Sequence, residues 1–362
     1  MTQNVFFKNT LLSLKDAIDS EVAVHTGALI KDAQKNYTPY SYNSIDAYCQ
    51  VLLRGGKRIR GSLTMVGYTM CGGTNTAMIT TAAAAIEMIH AYVLVLDDIM
   101  DKSSTRRGGD TAHVSIAKYH AKQHFAGDSY HFGESGAING AVVGEHYAQT
   151  LVANLDTVDA HKLHALKLMN NALQVTGHGQ INDIYNEASA TIDDKAIDDV
   201  YKWKTAHYTF LNPLQFGMAL AGANNSTLAS VYDYSMHAGR AFQITDDILG
   251  TFASKQQAGK DPVDDTRTGK RTLLAVEALK KADRTDKNFL IRMLGNPRIT
   301  QAEFKRIKQI YQETGALKYA NDQAKRHINL ATTSLEQHID HFSSDGYTFL
   351  HNLVQSLDGR SS

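Results

Sequence analysis

The chain is poor in the residues that interrupt helices. It has only four prolines in 362 residues, and no convincing run of alternating β-branched residues competes with the helical pattern. Because proline removes a backbone donor and clashes with the preceding turn, so few prolines favour long helices. The length allows one large or two ordinary domains. We therefore predict an all-α globular protein.

The chain also lacks a net charge and a cysteine framework. Lys plus Arg and Asp plus Glu number 37 each, so no overall field draws the protein to nucleic acid or to an anionic membrane. Cys49 and Cys71 provide neither a disulfide framework nor a metal-binding spacing, which fits a reducing cytoplasm. No apolar run is expected to reach the length of a membrane span, and the N-terminus reads as an amphipathic helix rather than a signal peptide. A cytoplasmic protein without a membrane span or a nucleic-acid partner is predicted.

What the chain does contain is an acidic pattern on an apolar segment, EMIHAYVLVLDDIMDKSSTRRGG (residues 87–109). Asp97 and Asp101 are four residues apart, so on a helix they point the same way, one turn apart. Buried acids repel one another and lose hydration unless cations neutralise them. Two interpretations stay open here. Arg106 and Arg107 either neutralise a helix end, or they bind the phosphates of a polyphosphate whose metal ions the acids hold.

A second acidic helix, HAGRAFQITDDILGTF, appears later in the chain and carries Gln243, Asp246 and Asp247 at helical spacing. A polar loop rich in lysine and arginine follows it, as a basic loop follows the first acidic helix. This repetition favours the metal and polyphosphate interpretation over two independent accidents. Mg²⁺ suits such a site because it binds a few carboxylates together with waters and substrate phosphates.

Smaller patterns are ambiguous alone. Gly55-Gly56 before Lys57 and Arg60 indicates either a helix cap with solvated charges or an anion site. A lysine within an apolar helix, such as Lys204, is more often a snorkelling surface residue than a ligand. If both basic groups bind phosphates, two phosphate-bearing substrates are implied, and the apolar helices would exclude water from a carbocation.

Two segments are predicted to break the helical pattern. Residues 108–134 are polar and contain His113, His120, His124 and His131 at irregular spacings without cysteines, which favours a mobile connection near a site mouth over a metal site. The glycines of the segment 177–183 are expected to interrupt another helix.

Taken in order, the motifs resemble those of trans-isoprenyl diphosphate synthases, the polyprenyl synthetase family. The resemblance begins near Gly55 and rests on the first acidic stretch, Gly56-Lys57-x-x-Arg60, Gly179-Gln180-x-x-Asp183, Lys204-Thr205, Phe242-Gln243-x-x-Asp246-Asp247 and the segment from Gly259 to Thr272. It implies a single large helical bundle of the isoprenoid synthase type with a central active-site cavity. One domain would span residues 1–362, with an N-terminal helical extension over 1–40 and a polar tail over 350–362.

The resemblance also implies an activity, namely head-to-tail condensation of isopentenyl diphosphate with an allylic diphosphate by a homodimer. Three Mg²⁺ ions, bridged by the allylic diphosphate, would be held by Asp97, Asp101 and Asp246, with support from Asp98 and Asp247. The allylic diphosphate would contact Arg106, Lys204, Lys260 and Lys270. Isopentenyl diphosphate would contact Lys57, Arg60, His90 and Arg107. Thr205 and Gln243 would place oxygen dipoles near the cation.

Product length is expected to depend on Tyr92, five residues before Asp97, where the family places the floor that stops chain growth. A large aromatic there, without an insertion in the first motif, favours a twenty-carbon product, as in short-chain geranylgeranyl diphosphate synthases. An ordinary core aromatic is the alternative for Tyr92. Alternatives for the function are a farnesyl or longer polyprenyl diphosphate synthase, a non-catalytic partner subunit, or a terpene cyclase, which would not need an isopentenyl diphosphate site.

Three positions depart from the family pattern. Gly250 replaces the third aspartate of the second acidic motif, Gly61 replaces a common proline, and Glu145 replaces the aspartate of a Gly-Asp pair. The C-terminus also lacks the basic ending that closes the site in some members. None of these departures removes a predicted direct metal ligand.

Overall fold

The computed structural model of the chain describes residues 2–189, 193–253 and 262–358, with side chains from Phe7 onwards. Within these ranges the chain is helical almost throughout, and the β structure is one short antiparallel hairpin. The all-α prediction is confirmed. Lys260, one of the predicted diphosphate ligands, lies outside the described residues.

The chain divides into two compact units, Met1–Leu166 with Phe216–Gly222 (unit 1) and Lys167–Gln215 with Ala223–Ser362 (unit 2). Unit 1 carries the first acidic motif. Its elements are α1 (Thr2–Asn36), α2 (Pro39–Leu53), α3 (Ile59–Met70), α4 (Thr76–Met100), β1 (Thr105–Arg106), β2 (Gly109–Asp110), α5 (Ala112–Lys122), α6 (Ser129–Ala153) and the first residues of α7 (Asp159–Ala188).

Unit 2 carries the second acidic motif and takes in the rest of α7. It continues with α8 (Asp194–Val200), a π-helix (Tyr201–Leu211), the start of α9 (Asn212–Leu220), α10 (Asn225–Ala229), α11 (Tyr232–Phe252), α12 (Asp264–Thr268), α13 (Leu273–Lys281), α14 (Arg284–Met293), α15 (Gln301–Glu313), α16 (Ala316–Gln337), a 3₁₀ turn (Ile339–His341) and α17 (Ser344–Gln355).

The prolines lie where helices tolerate them. Pro39 begins α2, directly after the capping residue Thr38. Pro213 is the second residue of α9, where the π-helix passes into the α-helix, whereas Pro262 and Pro297 lie in turns. At Pro39 the proline removes no helical hydrogen bond, since the first turn of a helix leaves its N–H groups unpaired in any case. The long helices predicted from the low proline content are therefore present.

In unit 1, α4 packs against α3 and α6. Ala82, Ala83, Ala84 and Ala85 are all fully buried, and their small side chains let neighbouring helices approach closely. Contrary to the prediction, α4 is long and apolar enough to cross a membrane by length and composition alone. However, 61% of its most apolar stretch is buried inside the protein, as in the core helix of a globular protein.

The predicted mobile connection over residues 108–134 is wrong. This segment forms β2, α5 and the start of α6. His113 and His120 are buried, and the His120 ring packs on Phe125 and Phe132 with centroids 5.7 and 4.8 Å away. Histidine was counted as polar in the sequence, whereas here its ring serves as an aromatic core side chain.

The predicted interruption near residue 180 is also wrong, because α7 runs unbroken through both glycines. Gly179 has a packing role instead. A Cβ atom there would lie 2.5 Å from the backbone nitrogen of Lys204, so glycine lets the π-helix pack directly against α7.

Candidate functional site

The predicted site residues fall into two sets, one in each unit. Unit 1 contains Lys57, Arg60, His90, Tyr92, Asp97, Asp98, Asp101, Arg106 and Arg107, and unit 2 contains Lys204, Thr205, Gln243, Asp246, Asp247 and Lys270. Within each unit, hydrogen bonds or close contacts connect most of the set.

The three aspartates at the end of α4 have different environments. Asp97 and Asp101 are partly exposed, and the N–H of Asp101 donates to the carbonyl of Asp97 at 2.8 Å, as one helical turn requires. Asp98 is fully buried. The helix therefore presents an open pair of carboxylates and keeps the middle one inside the protein.

Asp98 binds Arg106. The Nε atom of Arg106 donates to both carboxylate oxygens, at 2.8 and 3.1 Å, and Nη2 donates to Oδ1 as well. Burial raises the pKa of Asp98, and Arg106 opposes that rise. Burial alone would lower the pKa of Arg106, but its bond to Asp98 and the charges of Asp97 and Asp101 raise it. Asp98 thus holds the arginine next to the open pair.

A short hairpin positions the two arginines that follow α4. Arg106 lies in β1, and Arg107 and Gly108 form the turn with φ values of 51° and 76°. Arg54, which sequence analysis missed, donates through Nη1 to the carbonyl of Asp110 at 2.6 Å and to that of Arg106 at 3.4 Å. The end of α2 is therefore tied to both strands.

Arg107 packs on the glycine loop between α2 and α3. Its Nη1 atom donates to the carbonyl oxygens of Val51, at 3.2 Å, and of Gly55. A Cβ atom at Gly56 would lie 2.8 Å from Nη2 of Arg107, so only glycine fits there without moving the guanidinium. Burial lowers the pKa of Arg107, and the nearby charge of Arg58 lowers it further.

Arg60 and His90 complete a cationic cluster. Nη1 of Arg60 donates to Nε2 of His90 at 3.1 Å. Burial, together with the charges of Arg60 and Arg107, holds the pKa of His90 well below its usual value, so the imidazole is neutral and accepts this bond. Lys57 lies in the same loop and is exposed. The loop can therefore present several cationic groups to one anion.

A buried network fixes the start of α3. Glu87 accepts from Nη1 of Arg58 at 3.3 Å and from the N–H of Gly61 at 2.9 Å. Arg58 has a left-handed backbone, with φ of 49°, and its Nε atom donates to Asp19 at 2.7 Å. Neither Arg58 nor Asp19 was predicted from the sequence. The available signal is that Arg58 lies between Lys57 and Arg60, shortly after the two glycines.

In unit 2, the π-helix carries Lys204 and Thr205. A π-helix adds a residue to the turn and often occurs at functional sites. Nζ of Lys204 donates to the buried carboxylate of Asp183 at 2.7 Å, so Lys204 is not a solvated surface lysine. The hydroxyl of Thr205 donates to Oε1 of Gln243 at 2.7 Å.

The two aspartates of α11 face different surroundings. Asp246 is exposed, whereas Asp247 is buried and accepts from Nε2 of Gln243 at 2.8 Å and from the hydroxyl of Tyr201. Burial raises the pKa of Asp247 to about 6, against the opposing charge of Lys270. The pair therefore repeats the arrangement of α4, with one carboxylate open and one held inside.

Gly250 stands where the family has a third aspartate. A Cβ atom there would lie 3.2 Å from Oδ2 of Asp265, so that carboxylate already lies beside the position of the missing side chain. Lys270 follows closely in the chain, and its N–H donates to the carbonyl of Asp265 at 2.9 Å.

Tyr92 is partly buried in unit 1. Burial raises the pKa of its hydroxyl, and the negative charge of the buried Glu145 raises it further. Tyr48 also packs on this part of α4, where its hydroxyl donates to the carbonyl of Met88 at 2.7 Å. Its ring fills the space beside Gly144, where a Cβ atom would lie 2.2 Å away.

The donor set fits magnesium. Asp97, Asp101 and Asp246 offer accessible carboxylate oxygens, the hard ligands that Mg²⁺ prefers. Among the described residues, no group of three or more His, Cys, Asp or Glu side chains forms a preassembled metal site. Mg²⁺ usually keeps several waters and binds through one or two carboxylates together with substrate phosphates.

Comparison with known proteins gives the family. The polyprenyl synthetase family model matches residues 43–313, most of the chain, and the chain belongs to this family. The geranylgeranyl diphosphate synthase of Saccharolobus solfataricus is 30% identical over 304 residues, which cover 84% of this chain and 86% of that protein. The geranylfarnesyl diphosphate synthase of Aeropyrum pernix is 30% identical over 292 residues, covering 80% and 86%.

A solved structure of a related enzyme has the same fold. The geranylgeranyl pyrophosphate synthase of Corynebacterium glutamicum, complexed with isoprenyl diphosphate and magnesium, superposes with a TM-score of 0.86 at 26% identity, covering 96% of this chain and 98% of that one. The family resemblance and the fold class predicted from the sequence are thereby confirmed. The roles of individual residues stay predictions.

Proposed function

We propose that the chain is a geranylgeranyl diphosphate synthase, which condenses isopentenyl diphosphate head to tail with an allylic diphosphate. One observation carries the proposal. The open carboxylate pair of Asp97 and Asp101 lies in the same unit as a glycine loop that packs against Arg107 and leads into the first turn of α3, where Arg60 lies. Acids for a metal-bound diphosphate and cations for a second diphosphate are the requirements of a reaction with two diphosphate substrates.

In this reaction the C1–O bond of the allylic diphosphate breaks, and C1 bonds to C4 of isopentenyl diphosphate. A proton then leaves C2 of the isopentenyl unit, and the departing diphosphate takes it. By the family resemblance, Arg106, Lys204, Lys260 and Lys270 are the side chains that would bind the allylic diphosphate through charge-assisted hydrogen bonds. Asp97 and Asp101 in unit 1 and Asp246 in unit 2 would hold Mg²⁺, whose positive charge would stabilise the leaving group.

The buried aspartates act through neighbouring side chains. Asp98 orients Arg106, and Asp247 accepts from the amide of Gln243. Gln243 in turn accepts the hydroxyl proton of Thr205, which leaves lone pairs of the threonine oxygen available to a carbocation. The two hydrogen bonds, from Gln243 to Asp247 and from Thr205 to Gln243, therefore fix the orientation of the glutamine amide and of the threonine hydroxyl.

The second substrate, isopentenyl diphosphate, binds at the glycine loop. Arg60 and Arg107 hold the diphosphate, with Lys57 and His90 beside them. The neutral imidazole accepts from Arg60 and so orients that guanidinium. Because the loop uses the left-handed region at Gly55 and Arg58, its shape is set before the substrate arrives.

Tyr92 sets the product at twenty carbons. Its ring is large, and on an α-helix it lies roughly 7 to 8 Å along the axis from Asp97. Tyr48, whose hydroxyl bonds to Met88 one turn before Tyr92, packs tightly on Gly144 in the same unit.

The assembly is a homodimer in a reducing cytoplasm. Ile138, Val142 and Val143 on α6 are 40, 38 and 47% exposed, so a second copy has an apolar surface to cover. Cys49 and Cys71 are free, as a reducing compartment requires. Light scattering of the purified protein tests the dimer.

A condensation assay with farnesyl diphosphate, isopentenyl diphosphate and Mg²⁺ tests the activity. Asp101→Asn should lower the rate at least a hundredfold, since it removes one carboxylate of the open pair. Asp16→Asn changes an exposed acid in the same unit and should leave the rate unchanged. Condensation that needs no Mg²⁺, or that survives Asp101→Asn, contradicts the proposal.

A further inference from the structure

One buried hydroxyl joins two functional segments of unit 2. Tyr201, the first residue of the π-helix, donates to Oδ2 of Asp247 at 2.5 Å and accepts from the N–H of Leu273 at 3.1 Å. The residue is only 6% exposed, so water does not substitute for either partner. The tyrosine therefore links the acidic helix α11 to the start of α13.

The link to α13 fixes a helix start. Leu273 is the first residue of α13, and N–H groups in the first turn have no carbonyl partner within their own helix. Thr272 satisfies a second such group by accepting from the N–H of Ala275 at 3.3 Å. The start of α13 is thus held locally by Thr272 and, through Tyr201, by Asp247.

Lys270 lies just before this anchored point. Its N–H donates to the carbonyl of Asp265, so its backbone is held on both sides. Lys270 precedes Leu273 by three residues, so the lysine and the N–H that Tyr201 accepts from belong to one short segment.

We propose that Tyr201 is a positioning residue for the allylic diphosphate, because its hydroxyl fixes the segment that carries Lys270 against the acidic helix α11. This inference rests on the proposed function. Without the hydroxyl, the Leu273 N–H and one Asp247 oxygen lose their buried partner, and the Lys270 segment moves relative to Asp246 and Asp247. The contacts with isopentenyl diphosphate, which belong to unit 1, do not depend on it.

The first test is Tyr201→Phe. It should raise KM for the allylic diphosphate about tenfold, the effect of one lost hydrogen bond to a charged group. Calorimetry with Mg²⁺ and an allylic diphosphate analogue whose bond between C1 and the diphosphate does not break should show a similar loss of affinity. KM for isopentenyl diphosphate should change less than twofold.

Tyr234→Phe is the matched control. Tyr234 is a fully buried tyrosine of the same unit, and its hydroxyl donates to the carbonyl of Leu350 at 2.8 Å. Both variants should lower the melting temperature, but only Tyr201→Phe should weaken analogue binding. Equal binding by the two variants, or an equal rise in KM for both substrates, overturns the proposal.

Leu273→Pro tests the hydrogen bond between Leu273 and Tyr201 without altering the tyrosine. It is the alternative variant if Tyr201→Phe does not fold. Proline suits the first position of a helix, and Thr272 has the extended backbone that a following proline requires. The variant deletes the N–H that Tyr201 accepts, so analogue affinity should fall as in Tyr201→Phe. Unchanged affinity contradicts the proposal. If the native chain binds the analogue but condenses nothing, the proposed function fails, while the binding comparison still decides the role of Tyr201.

Discussion

Replacing Gly56 by alanine tests whether the glycine loop holds Arg107 in place. The new Cβ atom would lie 2.8 Å from Nη2 of Arg107 and 3.0 Å from Cζ. Ordinary contacts between such atoms are about 3.5 Å or longer, so the guanidinium must move by roughly 0.7 Å. That shift strains the bonds from Nη1 to the carbonyls of Val51 and Gly55.

The expected magnitude follows from these bonds. A hydrogen bond from a charged donor contributes about 1.5–3 kcal/mol, so the loss of one corresponds to a factor of roughly 10 to 100 in affinity. The φ of 150° at Gly56 adds backbone strain of about 1–3 kcal/mol for alanine. We therefore expect Gly56→Ala to lower stability and to raise KM for isopentenyl diphosphate at least tenfold.

Gly55→Ala separates the two effects. Gly55 also has a positive φ, of 78°, but a Cβ atom there meets nothing within 4 Å. This variant should lose stability from strain and keep a normal KM for isopentenyl diphosphate. Steady-state kinetics with both substrates and thermal unfolding of both variants give the comparison. If the two variants share the same KM, the contact between Gly56 and Arg107 has no part in substrate binding.

Three further predictions concern product length, stability and pH. Tyr92→Ala should lengthen the product, and an unchanged product distribution by mass would remove Tyr92 as the floor. Gly61→Pro should lower the free energy of unfolding by about 1–3 kcal/mol in denaturant titrations, because it deletes the N–H that Glu87 accepts; a stability equal to that of the native chain would show that this bond contributes nothing. Because the folded pKa of Asp247 is raised from 3.8 to about 6, its contribution to stability falls as pH rises between those values, by about 3 kcal/mol in all. Asp247→Asn should therefore gain stability relative to the native chain at pH 7 but not at pH 4, and a gain of the same size at both pH values, or one matched by Asp246→Asn, would contradict this.

Helical spacing alone predicted the open parts of the site. A four-residue interval on an apolar segment places Asp97 and Asp101 on one face, and the structure has them one turn apart at the end of α4. The same reasoning could not separate Asp98 and Asp247 from their neighbours. Which of two adjacent acids is buried depends on partners elsewhere in the chain, here Arg106 and Tyr201.

The supporting residues left no periodic signal. Arg58 pairs with Asp19 across 39 positions, and such a contact produces no pattern within either segment. The π-helix likewise has no characteristic amino-acid composition, although Pro213 lies two residues after its end. Long-range partners and the local widening of a helix are set by tertiary packing, which short-range spacing does not encode.

The proposed activity is tested by incubating the purified chain with Mg²⁺, isopentenyl diphosphate and, in turn, dimethylallyl, geranyl and farnesyl diphosphate, with products identified by mass. We expect a twenty-carbon diphosphate as the end product from each primer. A longer ladder would keep the condensation mechanism and contradict Tyr92 as the floor. A folded protein that condenses none of the three primers would not be a prenyl diphosphate synthase, and release of a hydrocarbon would indicate a terpene cyclase instead.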